Sequence, residues 1–471
     1  MRKPEHLDRW LIALLLLVSF ALKFSWTGVN ELGGDEPFTV FWAQRPLTAL
    51  FGMLHTENNP PLYFVLMHYW SHFTPLDTAW LRIPSALFSA LTVWPLFLLG
   101  KRLGGRSVAI TASLLFTFSQ HHYGFAHEVR TYSLLTFACT WAVWQLVRLS
   151  DGPERHPSLR PYSIVWLVVA NMIAVWAHYF GSIMVGIELV MVFTVPMLRP
   201  ARVKMLAAAG LTVLTMLPMA RTVFSRADSS LAQGTWVAPP AWDEPYSMLV
   251  RWSNAPVVAV IFLILILLAL LRKRGSTMAM GLLWCGLPLI GMFLVSFFFP
   301  MYIDRYLLFA SIGFYLVVAE ASQIDLGKDR PKWLVPAGCV VAMACTFTPW
   351  KDTGSHPSKV VAQVQAWSNE HTAVVIQPAW YDLTYAWALD PQLFRAATPV
   401  DMALTEKGIF PLLGSQAPAL DTSITTVVHI DAWAALTDPQ LAVLHDLHAH
   451  FVLTDSSEAD RKVWLRRFQR K

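Results

Sequence analysis

The chain has 471 residues, 55% of them hydrophobic and only 14% charged, with a mean hydropathy of +0.45. A soluble globular protein carries roughly 25% charged residues. The composition therefore excludes an ordinary cytosolic enzyme, a disordered chain and a nucleic-acid binder, and it points to an integral membrane protein with Lys and Arg concentrated in one set of loops.

A bilayer core about 30 Å thick takes roughly 20 apolar residues in a helix. Eleven segments approach that length: 9–26, 80–101, 106–121, 131–149, 162–180, 182–198, 204–223, 256–271, 277–299, 306–321 and 332–348. The first follows Arg2 and Lys3 like a signal sequence, but no small-residue cleavage site comes after it, and it reads as a retained anchor. All four cysteines (Cys139, Cys285, Cys339, Cys345) fall in apolar runs, which speaks against a disulfide framework.

The first loop, about 27–60, carries Gly33-Gly34-Asp35-Glu36-Pro37 ahead of an amphipathic run. Two readings fit the carboxylates: a general base or metal ligand, or a helix cap before a proline in the first turn. Phe38 and Trp42 are expected to desolvate Asp35 and raise its pKa. Next come His55, Glu57 and Asn59 beside Pro60-Pro61, which pre-sets a helix start. The apolar stretch 61–73 is too short to cross and reads as a re-entrant or interfacial helix.

The second loop, about 120–131, packs His121, His122, His127, Glu128 and Arg130 before Tyr132. Its spacing matches no standard zinc pattern. His178-Tyr179 at the end of the fifth segment reads as an aromatic-belt pair or a binding pair. Asp304-Arg305-Tyr306 opens the tenth segment, where Arg305 either snorkels or grips a phosphate.

Residues 349–471 lack a span-length apolar run and show short β-type runs at Thr372–Gln377 and Thr425–Ile430, so they read as a small α/β domain. The final RKVWLRRFQRK reads as a solvated basic tail or as a contact for anionic lipid headgroups. If 61–73 does not cross, one side collects 18 of the 36 basic residues, among them Arg2, Arg155, Arg272, Lys273, Arg274 and Lys328. The other side holds eight before the C-terminal segment. The positive-inside rule then puts both polar loops and the C-terminal domain on the outer face.

The ordered set Asp35-Glu36, Asn59-Pro60-Pro61-Leu62-Tyr63, Leu81-Arg82-Ile83-Pro84-Ser85, His127-Glu128-Val129-Arg130-Thr131-Tyr132, His178-Tyr179-Phe180 and Asp304-Arg305-Tyr306 resembles bacterial GT-C glycosyltransferases. The nearest pattern is the protein O-mannosyltransferase and lipid A aminoarabinose transferase group. The resemblance runs through about residues 1–350. It implies a polytopic helical membrane domain over 1–348 with a periplasmic α/β domain over 349–471, in a bacterial inner membrane. It also implies inverting transfer of a sugar from a polyprenyl-phosphate donor to a glycan, lipid or protein acceptor. Asp35 would then be the general base, with Glu36 assisting and Glu128 as a further acidic position. Arg130 and Arg305 would hold the donor phosphate. His127, Tyr132, His178, Tyr179, Asn59 and Glu57 would line the substrate. This chain has Asn59 where relatives commonly place His or Glu, which leaves a divalent cation open; no other cofactor is implied. The rival readings are a transporter or flippase of a lipid-linked substrate and a non-catalytic scaffold.

Overall fold

The computed structural model describes residues 3–54, 57, 59–151, 160–233, 237–271, 275–325, 327, 330–352 and 355–471. His55, and Arg2, Arg155, Arg272, Lys273, Arg274 and Lys328 of the charge argument, lie outside the described residues. The chain divides into two compact units. One comprises Met1–Ser25, Phe51–Tyr63 and Arg82–Pro349; the other comprises Trp26–Leu50, Phe64–Leu81 and Trp350–Lys471.

The first unit is helical. Its helix Pro256–Leu270 (PVVAVIFLILILLAL) buries Val258, Ala259, Phe262 and Ile266 on one stripe and exposes Ile261, Ile264, Leu267 and Leu268 on the other. A helix apolar on both faces is stable only where lipid covers the outer one. By length and composition, three helical stretches among the described residues can cross a bilayer: Thr78–Thr117, Pro196–Ser225 and Ser276–Val295. A fourth arises if Glu244–Trp252 and Pro256–Leu270, bent by 96°, form one span. Tyr162–Ala177, Gly181–Thr194 and Leu334–Cys345 are apolar but shorter.

The helix Val93–Thr117 is broken at Gly105 (φ 86°, ψ −178°), a left-handed position that a side chain would strain. A Cβ on Gly100 would stand 2.9 Å from the Ala109 Cα, so the two halves meet backbone to backbone. Beside the break, Lys101 and Arg106 both pair with Asp8, and Arg102 pairs with Asp151. The chain thus breaks where the sequence separates the segments 80–101 and 106–121. The stretch 61–73 is a 12-residue helix, Leu62–Phe73, about 18 Å long and short of a bilayer.

The second unit holds one five-stranded sheet, ordered β2-β1-β3-β5-β4: β1 Thr372–Gln377, β2 Ile409–Pro411, β3 Thr426–Asp431, β4 Phe451–Asp460 and β5 Val463–Arg470. β1 runs parallel to β2 and β3; β5 is antiparallel to β3 and β4. The β-branched runs TAVVIQ and TVVHID are buried nearly throughout, as central parallel strands must be. Residues of the first loop pack with this sheet's own elements. Arg45 donates to the carbonyls of Phe394 and Ala396, and Glu31 accepts from the Ser358 amide and hydroxyl. Arg395 donates to Gln44, Ser71 and Thr74.

The basic C-terminus is not a solvated tail. Val463, Leu465 and Phe468 are buried, and Arg466 pairs with Asp431 at 2.8 Å. Arg470 donates to the carbonyls of Ile424 and Asp421.

Helices Ser276–Val295 and Ser311–Ala321 cross through Gly281 and Gly313. A Cβ on Gly313 would come within 2.8 Å of the Gly281 carbonyl, the Trp284 Cβ and the Cys285 amide nitrogen. Small residues at such a crossing permit the backbone approach on which helix packing in lipid depends. Gly313→Ala is expected to destabilise the protein by about 1–3 kcal/mol through overpacking, read as a lower Tm in detergent. An unchanged Tm contradicts the close crossing.

Candidate functional site

In the helical unit, five sequence segments converge through hydrogen bonds, ring contacts and charge. Ser85 Oγ donates to the Arg130 carbonyl at 3.1 Å, and the Tyr63 hydroxyl lies 2.6 Å from the same Ser85 oxygen. Since the Ser85 hydrogen is committed to the carbonyl, Tyr63 is the donor of the second bond. Thr131 Oγ1 donates to the Ala177 carbonyl at 2.8 Å, and Ser133 Oγ to the Phe125 carbonyl at 3.0 Å. The Arg130 amide closes a tight turn onto the Glu128 carbonyl at 2.7 Å. Side chains from separate segments thus pin the main chain around Arg130.

His178 follows the end of helix Arg160–Ala177 and is buried. Its Nδ1 accepts from the Phe180 amide at 3.1 Å, which fixes the ring's rotation. The ring sits 5.8 Å from Tyr132, 5.0 Å from Phe180 and 5.3 Å from Tyr306. The charges of Arg130 and Arg305 both bear on it. Arg130 is buried and Arg305 half-buried. Two guanidinium charges thus act on one buried imidazole, and planar forks of this kind grip phosphate oxygens bidentately. Beside Arg305, Asp304 accepts the Arg305 amide at 2.8 Å and pairs with Arg251 at 3.2 Å.

His127 donates from Nε2 to the Lys23 carbonyl at 2.9 Å, and its ring lies 4.2 Å from that of Tyr123. Burial holds its pKa down to about 4. The Lys23 carbonyl opposes that shift, and the charges of Arg82 and Lys23 add to it. His127 is therefore a neutral donor at pH 7. Arg82, which stands in the Leu81–Ser85 motif but had been given no role, is buried. Its signal was its position in an otherwise apolar stretch, where an intramembrane cation marks a functional site by default.

Asn59 donates to Glu57 at 2.9 Å, a local pairing two residues apart. Glu128 and Tyr179 are half-buried. Among the described residues, no three His, Cys, Asp or Glu side chains are placed to share a metal ion.

In the other unit, Gly34 (φ +56°) turns the chain into helix Glu36–Ala43, with Pro37 in the first turn. Asp35 occupies the cap position in a helical conformation, and its side chain makes no cap hydrogen bond. It is exposed, which corrects the expectation that Phe38 and Trp42 desolvate it. Those rings pack with each other and with Phe64, Phe41 and Phe394, on the helix body rather than over its start. The buried carboxylate is Glu36, which accepts from the Gly33 amide at 3.4 Å. The cap reading thus does not account for Asp35.

No family model matches the sequence, and no curated protein matches it. Solved structures do. ArnT from Cupriavidus metallidurans bound to undecaprenyl phosphate superposes with a TM-score of 0.61 at 12% identity, over 98% of each chain. The archaeal oligosaccharyltransferase AglB from Archaeoglobus fulgidus, in complex with an inhibitory peptide and a dolichol-phosphate, gives 0.56 at 11% identity, over 96% of this chain and 73% of that one. The chain has the fold of these two proteins. The likeness to ArnT runs through the helical region and the C-terminal sheet alike, and at such low identity it is a likeness of fold.

The depressed His127 pKa sets a sign for stability against pH. Below the unfolded value near 6.5 the unfolded chain binds a proton that the folded chain refuses down to about 4. Folding stability therefore falls as pH drops from 7 to 5. The fall in Tm over that range is expected to be smaller in His127→Gln; equal falls in both proteins contradict the assignment.

Proposed function

We propose that this chain is an inverting glycosyltransferase that moves a sugar from a polyprenyl-phosphate donor to an acceptor at the outer face of a bacterial inner membrane. The observation that carries the reading is the pair of arginine charges, Arg130 and Arg305, acting on a His178 ring that packs with Tyr132 and Tyr306 within the helical unit. The fold is that of ArnT and AglB, whose structures hold undecaprenyl phosphate and dolichol-phosphate respectively.

In this reading the two arginines hold the donor phosphate and take up charge on its oxygen as the sugar leaves. His127, neutral and fixed by the Lys23 carbonyl, lines the substrate with Tyr132, His178, Tyr179, Glu57 and Asn59. Asp35, exposed at the start of helix Glu36–Ala43, is the base that removes the acceptor hydroxyl proton, with Glu36 and Glu128 as supporting acids. The acceptor oxygen bonds to the anomeric carbon, the carbon–oxygen bond to phosphate breaks, and its electron pair stays on the polyprenyl phosphate. A phosphate monoester is a competent leaving group, so positioning, one proton transfer and charge neutralisation suffice. Eleven spans, with the polar loops and the C-terminal domain outside, complete the proposal.

Purified wild type and Asp35→Asn, given radiolabelled polyprenyl-phosphate sugars with membrane extract as acceptor, test it. Wild type is expected to strip label from the lipid, and the variant to lose about 10²–10⁴-fold in rate. Turnover undiminished in the variant removes Asp35 from the base role. No turnover, with protein-dependent movement of labelled lipid across liposomes, hands the case to a transporter.

A further inference from the structure

The sheet of the C-terminal unit carries a second set of polar groups, distant in sequence from the arginine cluster and unused by the proposed reaction. With the order β2-β1-β3, the connections from β1 and β3 lead to opposite sides. Open sheets with parallel strands take ligands in the crevice outside the carboxyl ends of two such strands, where the strand order reverses. Here those ends are Gln377 on β1 and Asp431 on β3, direct partners in the ladder.

At these ends lies a buried polar network. Gln377 Nε2 donates to Asp438 Oδ2 at 3.2 Å and to the Gly414 carbonyl at 3.3 Å, which leaves its Oε1 facing His429 Nε2 at 3.1 Å. The imidazole therefore gives its one proton to Gln377 through Nε2 and keeps a bare lone pair on Nδ1. That Nδ1 is buried and has no hydrogen-bond partner among the described residues, and His429 itself is 1% exposed. A buried acceptor without a donor is destabilising unless an incoming group supplies one.

Asp431 and Arg466 offset each other, and Asp438 leaves one net negative charge. Asp431 is spent on Arg466 and the Ala434 amide, and Asp438 on the amides of Ala442 and Val443. The rim is aromatic. Trp380 follows β1 and is 52% exposed; Trp433 follows β3 and is 54% exposed. Both loops are anchored to the sheet: the Ala432 amide donates to the Gln377 carbonyl at the end of β1, and the Ala379 amide to the Leu412 carbonyl just after β2, each at 2.8 Å. Trp433 is held in the left-handed region (φ 72°), a conformation that costs energy in a non-glycine residue and that recurs at ligand sites.

From this arrangement we propose that the carboxyl end of β1 and β3 binds a pyranose ring of a neutral glycan, with Trp380 and Trp433 against its apolar faces and His429 Nδ1, held by the Gln377–Asp438 pair, receiving one of its hydroxyls. Flat exposed indoles favour the C–H faces of a sugar, and a site that keeps one carboxylate charge favours a neutral polyol over a phosphate or carboxylate. The inference deepens the transferase reading by naming a glycan as acceptor, and it rests on that reading only for the word acceptor.

The test uses the full chain in a sugar-free zwitterionic detergent with neutral glucose, galactose and mannose trisaccharides, followed by saturation-transfer NMR. Wild type is expected to transfer saturation to the ring protons of at least one trisaccharide. Trp433→Ala and Trp380→Ala are each expected to weaken that binding about tenfold, with an unchanged Tm. His429→Gln is expected to weaken it as well. No transfer from any trisaccharide, or equal transfer in wild type and both tryptophan variants, overturns the proposal. So does quenching of Trp433 by brominated lipid in nanodiscs, which makes the rim a membrane contact. If no trisaccharide binds while Asp35→Asn abolishes turnover, this site falls and the transferase reading stands. Binding without donor turnover leaves a glycan-binding domain and removes the transferase.

Discussion

The Ser85 hydroxyl, taking a hydrogen bond from Tyr63 and giving its own to the Arg130 carbonyl, fixes the one stretch of main chain on which the helical unit's cationic site depends. Arginine is long and rotamer-rich, and its guanidinium can be placed reproducibly only if the backbone beneath it is held. Thr131 and Ser133 extend that hold to the end of helix Arg160–Ala177 and to the helix that precedes the loop. The His178 ring, pinned by the Phe180 amide, then gives both arginines a common neighbour. A site assembled this way has its orientation set before substrate arrives, which is how positioning lowers a barrier.

Much of this was legible in the sequence, for physical reasons that differ by element. Apolar runs read as membrane helices because lipid forces every backbone group into a helix, and the GT-C resemblance agreed with the fold. The break at Gly105 coincided with a basic cluster, so charge and geometry marked it together. The Tyr63–Ser85–Arg130 chain was different: its hydroxyls look like ordinary polar residues, and only the fold brings the three segments together. β5 was hidden by its arginines, although Val463, Leu465 and Phe468 already stood inside the run read as a tail. Asp35 was read as desolvated because its aromatic neighbours are close in sequence, yet a helix start projects its cap residue away from the rings that follow.

The association of Trp26–Leu50 and Phe64–Leu81 with the C-terminal sheet was also beyond sequence reading. It is made by arginine side chains to backbone carbonyls, Arg45 on the sheet domain and Arg395 on the loop segments, and such bonds leave no pattern in the partner's residue types. The consequence is chemical as well as structural. The loop that carries Asp35 belongs to the same compact unit as the His429 network.

The most direct measurement is the affinity of polyprenyl phosphate for wild type, Arg130→Ala, Arg305→Ala and the double variant. If both guanidinium groups hold one phosphate, each single change weakens binding by about 1.5–3 kcal/mol. The double variant then loses less than the sum, because the two arginines share a ligand. Wild-type affinity in either single variant, or strictly additive losses, would contradict a shared phosphate site.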